Sequence, residues 1–392
     1  MLGLYIHIPF CKHLCHYCDF VKTIPRNQKV VDDYIEKLIE EINTYSKYFD
    51  KIDTIFIGGG TPNSINEESL IKLFETLKKI NPIEFTIEIN PESYSEKQGQ
   101  IFKQFGVNRV SIGAQTFNEK TLQFLNRKHT NKDVINAISS LKEIGVTNIS
   151  VDLIYAMPNQ TINDVKFDLD FLLKLGVKHV SYYSLILEEN TYFHYLYNRN
   201  LFYEVDQDLS REMYELIIKT LTKNGFSQYE ISNFSSLEFE SLHNKIYWKF
   251  DDYIGVGLGA HGKLDKVRYY NQRALNKYLK NTLFEKIPLS IDDQISEEMI
   301  MGLRLNSGVN IKDIEAKYQI DLYKKFPQIK EMIDLKLLTE ESGYLKLTKN
   351  GLYLGNQVFQ IFVWITHLKT LSTILELKKV EVIIQLNHIW KI

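Results

Sequence analysis

Cys11, Cys15 and Cys18 are the only cysteines in this chain of 392 residues, and all three fall in His7-Ile8-Pro9-Phe10-Cys11-Lys12-His13-Leu14-Cys15-His16-Tyr17-Cys18-Asp19-Phe20. Thiolates spaced C-x3-C-x2-C on one loop can converge on one metal centre, and iron-sulfur clusters are held by cysteine thiolates. Three ligands on a four-iron cube leave one iron open, either for chemistry or to hold a small molecule. The competing reading is structural zinc, with Cys11, Cys15, Cys18 and either His13 or His16 as ligands. Zinc sites usually pair two separated C-x2-C knuckles. The single asymmetric triplet here favours the cluster.

Further polar and glycine groups recur along the chain. Gly58-Gly59-Gly60-Thr61-Pro62 reads as a tight strand-to-helix turn, and three glycines also let a backbone approach a ligand closely. Glu88 with Asn90-Pro91, Gly113-Ala114-Gln115, and Asp152 each close a β-like run. Gly257-Leu258-Gly259-Ala260-His261-Gly262 satisfies G-x-G-x-x-G by letter. A dinucleotide fingerprint needs a first strand before it, a helix opening on it and an acidic residue about 20 positions later. A glycine turn near the functional face is the better reading. In His243-Asn244-Lys245-Ile246-Tyr247-Trp248, an imidazole able to ligate haem iron precedes two rings able to stack on a porphyrin. A lone histidine is more often a hydrogen-bonded structural residue.

The elements that must position these groups follow from periodicity. β-branched or aromatic runs at residues 4–8, 53–57, 85–89, 109–113, 148–153 and 178–184 read as six strands. Amphipathic segments at 30–48, 67–80, 95–105, 131–144 and 161–175 alternate with them, the last ending at Leu175-Gly176 as a capped helix would. Strand then helix, repeated, predicts parallel strands joined by right-handed crossovers. The expected class is therefore α/β. A partial (β/α)6 barrel is preferred, and a doubly wound sheet is the alternative. Either puts the functional face at the carboxyl ends of the strands, where the cysteine loop, the glycines, Glu88, Gln115 and Asp152 all fall. The expected organisation is a barrel core with the cluster loop over 1–190 and a barrel extension carrying the His243 segment over 191–285. A small, mostly helical, winged-helix-like C-terminal domain follows over 286–360, then an apolar tail over 361–392 to which no role is assigned.

Bulk properties exclude several classes. With 47 basic and 49 acidic residues the formal net charge is −2, so no global field draws the chain to nucleic acid or an anionic membrane. No signal peptide and no apolar run near the ~18 residues of a membrane span are evident. An odd number of cysteines crowded on one loop argues against a disulfide framework and for a reducing compartment, so a cytoplasmic location is expected.

The run from Tyr5 to Cys18 resembles the signature of radical S-adenosylmethionine (SAM) proteins. Within them it is similar to the branch containing oxygen-independent coproporphyrinogen III oxidase and the HemW-type haem chaperones, and the likeness spans roughly residues 3–360. The resemblance implies a [4Fe-4S] cluster on Cys11, Cys15 and Cys18, with SAM chelating the open iron. It also implies that Tyr5, Tyr17, Gly60, Thr61, Glu88, Gln115, Arg127 and Asp152 line one or two SAM sites, Glu88 accepting from ribose hydroxyls or an amino group. H-N-x-x-Y-W resembles the chaperones' motif, which makes His243, Tyr247 and Trp248 candidate haem contacts. The oxidases carry a fourth cysteine one residue after the third and an N-terminal extension. This chain has Phe20 at that position and ten residues before Cys11. The expected function is thus haem binding and transfer to an acceptor protein, with oxidative decarboxylation of porphyrin propionates as the alternative and a zinc-stabilised interaction protein as a distant third. No catalytic residue is assigned, activity as an enzyme is undecided, and a homodimer is open.

Overall fold

The computed structural model describes residues 1–363, so the expected tail lies outside the described residues from 364 on. Six strands, β1 (Leu2–Ile8), β2 (Thr54–Gly59), β3 (Glu84–Ile89), β4 (Arg109–Gln115), β5 (Asn148–Tyr155) and β6 (His179–Ser184), pair in parallel in chain order. Their β-branched runs are nearly continuous because helices cover one face and the barrel interior lies on the other. The covering helices are α1 (Gln28–Thr44), α2 (Glu67–Leu77), α3 (Glu96–Gln104), α4 (Glu119–Phe124), α5 (Asn131–Glu143) and α6 (Ile162–Leu175). Local chemistry sets their ends. Reciprocal Thr130–Asp133 and Thr161–Asp164 capping boxes open α5 and α6, and Gly176 stops α6 in a left-handed conformation at φ 60°. The α1 helix starts earlier than its hydrophobic pattern predicts because the Asn27 side chain accepts from the Val30 N–H.

Beyond β6 come α7 (Tyr192–Tyr197), α8 (Gln207–Lys223), β7 (Ser227–Gln228), β8 (Asn233–Ser235), α9 (Leu242–Trp248), β9 (Asp252–Val256), β10 (His261–Leu264), β11 (Val267–Asn271) and β12 (Leu283–Pro288). The sheet order is β12-β11-β10-β9-β1-β2-β3-β4-β5-β6-β8-β7. The β9 strand pairs in parallel with β1, so the parallel array has one strand more than the six expected. Helices on a parallel array, together with a smaller second unit, make the fold the expected α/β partial barrel with a C-terminal domain.

The described residues form two compact units, one of Met1–His243 with Asp252–Lys286 and one of Asn244–Asp251 with residues 287–363. In the second unit the helices Ile291–Gly302, Ile311–Tyr318 and Gln328–Asp334 accompany a three-stranded antiparallel sheet. Its hairpin, Leu338–Glu341 against Tyr344–Leu347, turns through Ser342 and Gly343 at φ 53° and 80°. That is the two-residue turn whose twist matches paired strands. The α9 helix spans the junction, so His243 belongs to the first unit and Tyr247 and Trp248 to the second. No described helix is long and apolar enough to cross a membrane.

Candidate functional site

Successive side chains of a strand point to opposite faces. One alternate set, Tyr5 and His7 on β1, Phe56 and Gly58 on β2, Thr86 and Glu88 on β3, Ser111 and Gly113 on β4, and Ser150 and Asp152 on β5, shares one side of the sheet. This side is polar where an ordinary barrel core is aliphatic.

At its carboxyl end the loops are tied to one another. The Gly60 N–H donates to the Ile8 carbonyl at 2.8 Å and the Thr61 N–H to the Phe10 carbonyl at 2.8 Å, holding the glycine loop against the cysteine loop. Gly60 is required by this approach, since a Cβ there would sit 2.8 Å from the Pro9 carbonyl carbon. A Cβ on Gly58 would sit 2.7 Å from a Glu88 oxygen. Thr61 Oγ1 lies 3.5 Å from Cys11 Sγ, and Arg127 Nη1 lies 3.6 Å from Cys15 Sγ. The buried Arg127 also donates from Nη2 to the Gly113 carbonyl at 2.6 Å and to Asn90 Oδ1 at 2.9 Å, bridging the cysteine loop to the ends of β3 and β4. Tyr17 packs against the buried group Leu125, Ile154, Met157, Phe193 and Phe202.

The electrostatics of this mouth are unbalanced. Burial pushes the Cys11 thiol up and the Cys18 thiol up to about 12, and the neighbouring Cys15 raises both further. Buried thiols that repel one another as anions give up their protons only to a strong cation, so soft thiolate donors here suit iron. Among the described residues no three His, Cys, Asp or Glu side chains gather as a single ion would require. A four-iron cube takes its cysteines on separate irons. Burial, and then the charge of Asp152, push Glu88 up to about 8 against the opposing N–H of Gly59, which donates to it at 3.1 Å. Asp152 is also raised by burial, although Ser111 Oγ donates to it at 2.8 Å and Ser150 Oγ at 3.2 Å. Two buried carboxyls facing a common space cannot both ionise cheaply, so the space favours a ligand bearing donors or positive charge. Gln115 stands at φ 68° on a register shift in β4, which turns it out of the strand's alternation. Tyr5 hydrogen-bonds His7 Nδ1 at 3.0 Å, and His7 Nε2 meets the Val21 carbonyl at 2.7 Å.

The structure thus brings Cys11, Cys15, Cys18, Tyr5, Tyr17, Gly60, Thr61, Glu88, Gln115, Arg127 and Asp152 to the carboxyl ends of the strands or the interior directly beneath. The glycines of the G-x-G-x-x-G segment follow β9 and pack onto the same loop, where a Cβ on Gly257 would sit 2.5 Å from the His7 carbonyl oxygen. They form the turn expected there rather than a dinucleotide site.

His243 is placed elsewhere. Its imidazole is fully buried at the amino ends of the strands, with Nδ1 2.6 Å from Oγ1 of Thr54, the first residue of β2, and its ring stacked on Phe56 at 5.2 Å. Counting along β2 from Thr54 to Gly58 at about 3.3 Å per residue puts it roughly 13 Å short of the glycine loop. Burial pushes it down to about 3, so it is neutral. The Glu84 carboxylate at the start of β3 accepts the N–H groups of Leu242 at 3.0 Å and His243 at 2.9 Å, capping α9 with a negative charge at its N-terminus. Tyr247 and Trp248 are 4% and 3% exposed, and the Arg304 guanidinium lies 4.3 Å over the Trp248 ring. The structure does not bring this histidine to the cysteine loop.

Sequence reasoning missed Asn90 as a working group. It holds Arg127 and, through Nδ2, donates to Thr61 at 3.1 Å. It also missed Glu92, which lies 3.5 Å from His13 and 3.8 Å from the buried His129. Asn90-Pro91 at a strand end was the available signal for Asn90. No letter pattern marks the Glu92 cluster.

A partial α/β barrel whose first strand runs into a three-cysteine loop defines a radical SAM protein. In agreement, residues 5–172 match the family described as the Radical SAM superfamily, and residues 289–354 match the HemN C-terminal domain. The chain is 41% identical to "Heme chaperone HemW" of Lactococcus lactis subsp. lactis over 92% of its own length and 96% of the relative's. It is 38% identical to the protein of the same name from Bacillus subtilis, covering 93% and 99%. The chain belongs to the HemW family of radical SAM proteins. Among solved structures, coproporphyrinogen III oxidase (HemN) from Escherichia coli matches with a TM-score of 0.81 at 23% identity, over 92% of this chain and 89% of that one, a likeness of fold.

Proposed function

We propose that this chain is a haem chaperone that binds haem and passes it to an acceptor protein, with a [4Fe-4S] cluster on Cys11, Cys15 and Cys18 and an exchangeable SAM beside it. The observation that carries the cofactor part is the mouth itself. Three cysteines on one loop, the Cys11 and Cys18 thiols raised by burial, lie in reach of Arg127 and Thr61 at the end of the barrel that holds the raised Glu88 and Asp152 carboxyls. When bound, the cluster would supply an open iron for the amino and carboxylate groups of SAM. Glu88 would accept from the ligand's hydroxyl or amino donors, Asn90 and Arg127 would keep the loop in place, and Tyr17 would close one wall. The haem part rests on the relatives, which are named for that role, and on Phe20 where the oxidases have a further cysteine.

Ligation of haem by His243, with stacking by Tyr247 and Trp248, carries a stated cost in this reading, because the imidazole must first leave Thr54 and Phe56. A cytoplasmic location is part of the proposal and is checked by fractionation; the oligomeric state is left open and is read by sedimentation.

Anaerobic reconstitution tests the whole. The expected result is about four irons per chain, SAM uptake, haem binding, and no consumption of coproporphyrinogen under reducing conditions. Multiple turnovers to protoporphyrinogen would overturn the chaperone reading in favour of the decarboxylase.

A further inference from the structure

The short helix α7 stands beside the cysteine loop and carries a feature with no part in the site above. Phe193 anchors it in the buried group with Leu125, Ile154, Met157 and Phe202, and the Phe193 N–H donates to the His16 carbonyl at 3.1 Å. The outward side carries Tyr192 and Tyr195, 48% and 46% exposed, with rings stacked at 5.9 Å and 19°. At one end the His16 imidazole lies 4.4 Å from the Tyr192 ring, and at the other the Arg199 guanidinium lies 4.3 Å from the Tyr195 ring. A ladder of three rings closed by a cation therefore runs outward from the cysteine loop. Leu201 and Tyr203, 65% and 69% exposed, follow it in the chain. Large apolar rings concentrated on one outer face mark a site of interaction rather than an ordinary surface.

His16 is prepared in a specific way. Its Nδ1 lies 2.8 Å from the Phe124 carbonyl, which can only accept, so the proton resides on Nδ1 and the lone pair on Nε2. Among the described residues Nε2 has no hydrogen-bond partner. A histidine whose second nitrogen donates to a backbone carbonyl is oriented as metal-bound histidines are. Flat apolar rings, a presented imidazole nitrogen and a guanidinium match the three chemical parts of haem: its macrocycle, its iron and its propionates.

We infer that haem docks on this ladder, with His16 Nε2 as an axial ligand to its iron, Tyr192 and Tyr195 along the macrocycle and Arg199 at a propionate. The inference rests on the haem-binding reading above and moves the haem contact from the buried His243 to the exterior face beside the cysteine loop. An acceptor protein is the other chemistry that could cover such a face.

The test is an anaerobic haem titration of the cluster-loaded full chain, followed by the Soret band and the dissociation constant. Tyr192→Ala with Tyr195→Ala, and Arg199→Glu separately, are expected to weaken haem binding about tenfold or more. His16→Ala is expected to lose the axial-ligand signature, restored by added imidazole, while His243→Ala protein that remains folded keeps it. Iron and sulfide content is measured on each variant. Should His16→Ala lose its cluster, the tyrosine and arginine variants, which lie off the loop, decide the matter. Wild-type chain that takes up no haem defeats the chaperone reading itself. Wild-type uptake with unchanged affinity and Soret band in the tyrosine and arginine variants overturns the ladder alone. Unchanged haem binding with lost transfer would instead make the face a docking site for the acceptor, which also overturns it.

Discussion

The two ends of the barrel are built from similar residues and treated differently. At the amino ends, Glu84 accepts two backbone N–H groups of α9, His243 meets Thr54, and His179 places Nδ1 2.7 Å from Ser150 and Nε2 2.9 Å from the Tyr229 hydroxyl. Arg109 donates to Asn148 at 2.7 Å. These polar groups are matched, and the segment from Tyr229 to His243 closes the floor. At the carboxyl ends burial raises the Cys11 and Cys18 thiols, Glu88 and Asp152, and Arg127 Nε has no hydrogen-bond partner among the described residues. A polar residue inside the barrel is therefore no sign of function by itself. A matched set stabilises, whereas a mismatched set waits for a ligand.

Substitutions can break this division, and the largest effect belongs to the mouth. Cys15→Ala is expected to abolish the oxygen-labile cluster absorption after reconstitution while the far-ultraviolet circular dichroism stays unchanged. Retention of four irons per chain would remove the triplet from its assigned role. At the floor, Glu84→Ala leaves two buried N–H groups without their charged acceptor, and denaturant unfolding should show a loss of about 3 kcal/mol. SAM uptake by the folded fraction should not change. A variant of normal stability with poor uptake would reverse the roles of the two ends.

Glu88→Gln should weaken SAM binding about tenfold in equilibrium dialysis, since an amide cannot offer both oxygens as acceptors. It also has a pH signature. The folded carboxyl, raised to about 8, holds its proton where the unfolded chain has already released it at its ordinary 4.5. Its contribution to stability is therefore present at low pH and falls as pH rises from the unfolded value through the folded one. Glu88→Gln should lose less stability over that window than the wild type, and equal losses would show that Glu88 is not raised. The smallest effect is expected from Thr54→Val, which removes the hydroxyl partner of His243 at a cost of about 1 kcal/mol, with haem affinity unchanged.

Strands β1 to β6 were legible because each is a β-branched run of five or more residues bounded by turn residues, followed by an amphipathic helix. The β9 strand was not. Asp252-Tyr253-Ile254-Gly255-Val256 is short, carries a glycine and runs into the glycines of 257–262, which read as a turn. Gly255 is nevertheless required, because a Cβ there would meet the His261 carbonyl oxygen at 1.7 Å. The cysteines could be read from spacing alone. Asn90 could be placed at a strand end but its partners could not, and Glu92 and Glu84 could not be read at all, because their partners are set by register between strands far apart in sequence. The letters of H-N-x-x-Y-W suggested a ligand, whereas burial and the Thr54 contact depend on where β2 begins.

The parallel partner of β1 on its outer side is β9, supplied about 250 residues later in the chain. During synthesis the N-terminal strand keeps a bare edge, and the cysteine loop lacks the packing of Gly257 on His7 and of Gly259 on Val21, until that segment has emerged. The cysteine loop is thus the earliest part of the site to be made and among the last to be enclosed. That order leaves a period in which any group the three thiols are to hold can enter before the fold closes around it.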